Sequence, residues 1–187
     1  MAQFKLSPGD ILINVNTGKD LWSWIRRWAL NSPYTHVFLY LGGMPISGLK
    51  IPLLFESTGH GVCICSLSQR YGQEVVVMRL RPAWKERIPL ILQEAIKLAS
   101  DEKAYYDYYC IIRFILPRLI MQKLRLPLPL AWHRNPAQVC SEAVAEIHLR
   151  ADVPVLPDNI VPLPGDFVTK SPLLYKVGQG NLSEDWV

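Results

Sequence analysis

Residues 138–144, with the sequence Gln-Val-Cys-Ser-Glu-Ala-Val, predict the start of a helix that carries a nucleophilic cysteine. The apolar residues that follow Cys140 at helical spacing are Ala143, Val144 and Ile147, so all four share one face that packs inward. A thiol in the first turn of a helix feels the positive end of the helix dipole, which favours the reactive thiolate. The alternative is that Cys140 is a small buried hydrophobic residue.

Composition and charge predict one folded domain. The chain has 187 residues, half of them apolar, which excludes a disordered or fibrous protein. Lys and Arg exceed Asp and Glu by 20 − 16 = 4. This mild excess, without a basic run interleaved with aromatic residues, is not typical of nucleic-acid binding. We therefore expect no nucleic-acid partner.

Cysteine usage favours a reducing compartment. The four cysteines are Cys63, Cys65, Cys110 and Cys140. Cys63 and Cys65 are two residues apart in an extended pattern, so they point to the same face and suit packed thiols better than a disulfide framework. Residues 1–5 lack the charged start and apolar core of a signal peptide. We expect a cytoplasmic protein, with delivery elsewhere by another route left open.

The most apolar region, residues 105–132, is interrupted by charged residues and prolines, so no transmembrane span is predicted. Its basic residues are interleaved with Ile, Leu and Phe, which leaves peripheral membrane or lipid contact open. The basic residues that would carry such contact are Arg113, Arg118, Lys123 and Arg125. A membrane-surface structural protein is one rival interpretation, and a buried helix followed by a proline-stiffened loop is the other.

Hydrophobic periodicity predicts an α+β fold, with a small antiparallel sheet or partial barrel packed against helices. The predicted strands are residues 10–15, 34–41, 52–58, 62–66, 74–80 and 166–169. A loop rich in Gly and Pro is expected from Gly42 to Lys50. The predicted helices are residues 21–30, 87–100 and 105–116 and the helix that begins near Cys140. The tryptophan-rich residues 21–30 are either core or the wall of an apolar groove.

A histidine and an acid fall on adjacent predicted strands. If the strands 34–41 and 52–58 form a hairpin centred near Ile46, His36 and Glu56 lie directly opposite each other, with Cβ atoms about 5 Å apart. A carboxylate beside an imidazole fixes its tautomer and stabilises the imidazolium. With Cys140 docked nearby, the order would be thiol, base and orienting acid. The alternatives are a core histidine bonded to a backbone carbonyl and a solvated strand glutamate.

The order of several short motifs along the chain indicates a resemblance to a known group of proteins. The motifs are Gly9-Asp10-Ile11-Leu12, then residues 35–42, Phe55-Glu56-Ser57, Tyr106-Asp107-Tyr108 and Val139-Cys140-Ser141-Glu142. Over residues 8–177 the chain resembles the circularly permuted papain-like enzymes, the YiiX-like relatives of the NlpC-type cell-wall peptidases and, more distantly, of the lecithin–retinol acyltransferases. In that group the histidine and its polar partner precede the cysteine, as they do here.

The resemblance implies roles for individual residues. Cys140 would be the nucleophile, His36 the base and Glu56 the orienting acid of a permuted papain-like domain that needs no cofactor and no metal. Tyr106 or Tyr108 would line the pocket or assist the oxyanion, unless they are packing tyrosines. Residues 111–136 would be an insertion or a lid over the site.

The implied reaction is acyl transfer, in the first place hydrolysis of an amide in a peptide, a cell-wall peptide or a lipidated substrate. The apolar residues 22–28 and 111–130 favour a partly hydrophobic substrate. An acyltransferase or a thioesterase is an alternative outcome of the same chemistry.

Two other interpretations stay open. One is a catalytically inactive module of the same fold that binds a peptide or a lipid. The other is a metal site built from His60, Cys63, Cys65 and one more ligand, although no second ligand cluster with zinc spacing accompanies them. His133 and His148 are expected to be surface or structural residues.

Overall fold

A computed structural model describes residues 4–18, 32–58, 61–101, 140–157 and 162–187. It has a six-stranded antiparallel sheet with the order β4-β3-β2-β1-β5-β6. The strands are β1 Ile11–Val15, β2 Tyr34–Ile46, β3 Leu49–Thr58, β4 Gly61–Ser66, β5 Glu74–Leu80 and β6 Leu174–Asn181. The first four form a meander, and β5 then returns to pair with the free side of β1. The predicted α+β class with an antiparallel sheet is confirmed.

Both faces of the sheet are buried in the middle of β2, where strand alternation sends side chains to two separate cores. Val37 and Leu39 point into the larger core, which also contains the buried faces of the helices. Phe38 and Tyr40 point into the opposite core. The second core is completed by residues near both termini, such as Trp186. His36 lies two residues before Phe38 in β2, so its side chain is on the same face of the sheet as Phe38.

The β2–β3 hairpin corrects the predicted loop. Pairing continues through Ile46 opposite Leu49, and a two-residue turn at Ser47 and Gly48 joins the strands. Both turn residues have positive φ, 49° and 81°, as in the type I′ turns that suit the right-handed twist of hairpins. The prediction was wrong because Gly and Pro are loop signals only where no neighbouring strand pairs with them. Here they lie where β2 extends beyond its pairing with β1, and so they interrupt no ladder on that side.

Among the described residues, two helices of about three turns pack on the larger core. Helix α1 spans Ile88–Ala99 and buries Ile91, Ala95 and Leu98. Helix α2 spans Cys140–Arg150 and is buried along most of its length, with Ala143, Val144 and Ile147 in the same core. The predicted helix over residues 87–100 and the helix beginning near Cys140 are confirmed.

The C-terminal part differs from the prediction. Residues 166–169, predicted as a strand, form the single-turn helix α3, Asp166–Thr169. The Asp166 carboxylate accepts from the backbone N–H of Leu163 (3.0 Å), which holds the chain in a turn rather than in an extended conformation. Strand β6 was missed because Gly178 and Gly180 weaken the strand signal. A Cβ at Gly178 would collide with the ring of Phe4, so close packing explains that glycine.

Several predicted features lie outside the described residues. They are the helices over residues 21–30 and 105–116, and the insertion or lid over residues 111–136. The organisation of residues 1–187 as one domain with that insertion stays a prediction. In the described part of the chain, no helix is long and apolar enough to cross a bilayer.

Candidate active site

Cys140 is the first residue of α2 and is 8% exposed. The helix start is tied to the C-terminal part of the chain, because the Ser141 hydroxyl donates to the Pro162 carbonyl (2.8 Å). The backbone N–H groups of Val37, in β2, and of Ser141 donate to the Cys140 sulfur. The first turn of α2 is thus fixed against β2, and the thiol lies beside His36.

His36 and Glu56 form the contact that the hairpin predicted, but in a different register. The His36 Nε2 atom lies 2.8 Å from the Glu56 Oε2 atom. Phe38, and not His36, is directly opposite Glu56, so the predicted pairing was wrong by two residues. The turn lies at Ser47 and Gly48 rather than at Ile46, and the register shifts between Tyr40 and Gly42. A shift of two residues keeps both side chains on one face, so the contact survives.

Two residues that the sequence did not connect with Glu56 complete its surroundings. The Arg70 Nη2 atom donates to both carboxylate oxygens, at 2.6 and 2.7 Å. The Cys65 thiol donates to Glu56 Oε1 at 3.2 Å. Cys65 shares a strand face with Glu56 because Cys63 is directly opposite the glutamate in β4. Arg70 ends the short 3-10 helix Leu67–Arg70, and no motif marked it.

Glu56 is held ionised. Its side chain is 2% exposed, and this burial raises the pKa of the carboxyl group. Hydrogen bonds from His36, Arg70 and Cys65 oppose burial and lower the pKa of Glu56 to about 2. Burial, followed by the hydrogen bond to Glu56, raises the pKa of the Cys65 thiol to about 12, so Cys65 is a neutral donor. The carboxylate is therefore an anion at neutral pH.

The contact between His36 and Cys140 favours a protonated imidazole and a deprotonated thiol. Burial lowers the pKa of His36, but the charge and hydrogen bond of Cys140, followed by those of Glu56, raise it to about 9. Burial likewise raises the pKa of the Cys140 thiol, whereas the His36 charge and hydrogen bond and two backbone N–H groups lower it. Because Nε2 of His36 is engaged by Glu56, Nδ1 is the ring nitrogen left for the thiol. Both shifts favour a thiolate–imidazolium pair over a neutral thiol and imidazole.

Other predicted site residues are not tested by these contacts. Tyr106, Tyr108, His60 and His133 lie outside the described residues. Among the residues that are described, no three His, Cys, Asp or Glu side chains are grouped so as to hold a metal ion. Cys63 and Cys65 are free thiols, which agrees with the prediction of packed thiols.

His148 is a structural residue of α2, two turns beyond Cys140. It is fully buried, and its Nδ1 atom donates to the Val144 carbonyl at 2.7 Å. Burial lowers the pKa of His148 to about 4, against a smaller opposing effect of that carbonyl, so the ring is neutral. Of the two expectations for His148, surface or structural, the structure supports the second.

The fold has a counterpart among solved structures, although no family model and no curated protein matches the sequence. The chain is similar to the crystal structure of a protein described as metalloprotein YiiX from Escherichia coli O157:H7, with a TM-score of 0.61 and 17% identity. The match covers 96% of this chain and 100% of that one. The likeness supports the α+β, YiiX-like fold. The relation to NlpC-type peptidases and to lecithin–retinol acyltransferases stays a prediction.

Proposed function

We propose that this chain is a cysteine hydrolase that acts by acyl transfer, with Cys140 as nucleophile, His36 as general base and acid, and Glu56 as orienting acid. One observation carries the proposal: a hydrogen-bonded series runs from the Cys140 thiol through His36 to the buried Glu56 carboxylate. His36 and Glu56 come from the β2–β3 hairpin, whereas Cys140 comes from α2, which is remote from the hairpin in sequence. A packing role for Cys140 requires neither the imidazole nor the carboxylate.

The first half of the reaction follows from the charges. The Cys140 thiolate attacks the acyl carbonyl carbon and forms a carbon–sulfur bond, while the carbonyl oxygen becomes an oxyanion. Backbone N–H groups at the start of α2 are the expected donors to that oxyanion. The His36 imidazolium then gives its proton to the leaving group as the scissile bond breaks, which leaves a thioester on Cys140 and a neutral imidazole.

The second half regenerates the enzyme. Neutral His36 takes a proton from water, whose oxygen attacks the thioester carbon, and the acid product leaves as the thiolate–imidazolium pair reforms. If an amine or alcohol replaces water, the same steps give acyl transfer to that acceptor. Glu56 does not gain a proton in either half, because its pKa of about 2 lies far below that of His36. Its role is to hold the imidazole and stabilise its positive charge.

We propose an amide in a peptide, a cell-wall peptide or a lipidated group as the substrate. Hydrolysis of an amide needs a proton donor for the leaving amine, and His36 with a pKa of about 9 is protonated at neutral pH. The apolar stretches at residues 22–28 and 111–130 favour a substrate with a hydrophobic part. They also keep peripheral contact with a lipid surface within the proposal.

Thiol labelling tests the proposed pair without any substrate. Wild type, His36→Ala and Cys140→Ala are treated with limiting iodoacetamide from about pH 5 to about pH 9, and adducts are mapped by mass spectrometry. We expect Cys140 in the wild type to react well below the ordinary thiol pKa of about 8.5, and to lose this advantage in His36→Ala. Cys65 is the internal control, because its pKa of about 12 keeps it unreactive throughout.

Turnover is then measured with peptide amides, acyl esters and acyl thioesters, and intact mass is used to detect an acyl group on Cys140. An acyl adduct that is absent in Cys140→Ala, with released acid as product, supports a hydrolase, and acyl transfer to an added amine supports a transferase. If Cys140 labels no faster than Cys63 and His36→Ala changes nothing, the hydrolase proposal fails. The inactive peptide- or lipid-binding module then takes its place.

A further inference from the structure

We infer that Arg70 is a positioning residue of this site: its guanidinium holds both oxygens of Glu56 and thereby fixes the carboxylate as a permanent anion for His36. The inference rests on the proposed function, since it concerns how the thiol, imidazole and carboxylate are kept in working order. Both contacts are made by one nitrogen, Nη2, which lies 2.6 Å from Oε1 and 2.7 Å from Oε2.

Arg70 is presented from a well-anchored segment. It ends the 3-10 helix Leu67–Arg70, and Leu67 is fully buried in the second core, with Phe38 and Trp186. The helix start is capped by the Ser66 hydroxyl, which accepts from the backbone N–H of Ser68. Directly after the helix, Gln73 N–H donates to the Arg70 carbonyl at 3.2 Å. The backbone that carries the guanidinium is thus restrained on both sides.

The donors around Glu56 leave the carboxylate little freedom. Oε1 accepts from Cys65 and Arg70, and Oε2 contacts His36 and Arg70. Rotation of the carboxylate about its last bond would break several of these contacts at once. Charge-assisted hydrogen bonds of this kind are the stronger ones in proteins. Arg70 therefore sets both the orientation of Glu56 and, through Oε2, the position of the His36 ring.

We expect Arg70 also to limit how strongly His36 holds its proton. Arg70 and the His36 imidazolium are two cations that share one carboxylate oxygen, Oε2. The guanidinium offsets part of the negative charge that His36 would otherwise feel. In the described residues, the other titratable side chains that face His36 or Glu56 are Cys140 in α2 and Cys63 and Cys65 in β4. In a variant that keeps the contact between His36 and Glu56, loss of the Arg70 charge should therefore raise the pKa of His36.

The test is an NMR titration of the His36 ring in the full chain. Wild type is compared with Arg70→Gln, with Arg70→Met, which places an apolar chain in the same space, and with Arg70→Lys as the charge-preserving control. The His36 signal is assigned by its absence from His36→Ala. We expect the titration midpoint to rise by about one pH unit in the Gln and Met variants and to stay near the wild-type value in Lys.

The outcomes separate this inference from the proposed function. If the neutral variants fold and titrate as the wild type does, or if both fail to fold, Arg70 is a structural residue and the inference is overturned. If His36 in the wild type titrates near 6.5 and Cys140 labels as an ordinary thiol, the proposed function fails first. A raised midpoint in the wild type that does not move on loss of Arg70 overturns only the role of Arg70.

Discussion

His36 Nε2 lies 2.8 Å from Glu56 Oε2 although Phe38 is the residue directly across the sheet from Glu56. The contact is diagonal, between two side chains on the same face of neighbouring strands. The His36 and Phe38 rings follow one another on that face, with centroids 5.7 Å apart. This offset places the imidazole near the start of β2, beside the first turn of α2, while the carboxylate stays 2% exposed. The imidazole thus spans the distance between a buried anion and the thiol.

Replacing Glu56 by Gln should lower the pKa of His36. The carboxylate charge and its hydrogen bond are among the causes that raise this pKa to about 9, and a neutral amide removes the charge. We expect the NMR titration midpoint of His36 to fall by about one unit or more, and kcat/KM on any substrate found to fall by about 10²-fold or more. Glu94→Gln, which breaks an exposed ion pair with Lys97, is the matched control. A midpoint that stays near 9 would contradict this role of Glu56.

His148 should make the protein less stable in mild acid. The pKa of His148 in the folded protein, about 4, is below the unfolded value of 6.5. Its contribution to the free energy of unfolding is therefore complete above pH 6.5. That contribution is lost as the pH falls toward 4, because the unfolded chain binds a proton that the fully buried ring does not. The loss should amount to about 3 kcal/mol.

Urea denaturation of wild type and His148→Leu at about pH 7 and about pH 4 measures this effect. The leucine variant should lack the part of the acid destabilisation that His148 causes, whatever its stability at neutral pH. His148→Gln is a second, polar variant without a titrating group, and it should behave like the leucine variant. An equal loss of stability on acidification in all of these proteins would refute the assignment.

The ion pair between Asp10 and Arg79 should be a large contributor to stability away from the site. Asp10 is fully buried just before β1, and its carboxylate accepts from Arg79 at 2.7 and 2.8 Å and from the Ser7 backbone N–H at 2.8 Å. Asp10→Ala leaves Arg79 without its carboxylate partner and should cost about 3–5 kcal/mol in the free energy of unfolding.

Lys97→Ala, which removes an exposed ion pair with Glu94, is the control for Asp10→Ala and should cost less than about 1 kcal/mol. Urea denaturation gives both values. The rate at which Cys140 reacts with iodoacetamide should not change in folded Asp10→Ala, because Asp10 makes no contact with His36 or Cys140 that the structure records. Equal losses in the free energy of unfolding for the two variants would contradict the large contribution expected of the buried pair.

Gly48 should be required by its backbone conformation alone. Its φ is +81°, and a Cβ at this position would have no heavy atom within 4 Å, so Gly48→Ala adds strain without a clash. We expect a cost of about 1–2 kcal/mol in the free energy of unfolding. Ser47→Asn is the matched variant, because Ser47 has a φ of 49° and asparagine tolerates that region better than serine does. Stabilisation by Gly48→Ala would contradict the turn described here.

Much of the architecture was predictable because it depends on local patterns. The apolar and β-branched residues of Ile11–Val15 and Glu74–Leu80 indicated strands, and the face of Ala143, Val144 and Ile147 indicated the helix that carries Cys140. The same locality explains the errors. Gly and Pro in the β2–β3 hairpin suggested a loop, although their neighbours in the sheet made pairing possible.

The sequence predicted which chemical groups form the candidate site: a thiol, an imidazole and a carboxylate. Residue type, and the alternation of side chains between the two faces of a strand, depend only on neighbours along the chain. The pairing of Phe38 with Glu56, and the convergence of Arg70 and Cys65 on that carboxylate, could not be predicted from such neighbours. Register depends on where the turn and the bulge fall, and a pKa depends on distance and burial. Both arise only when segments remote in sequence are packed together.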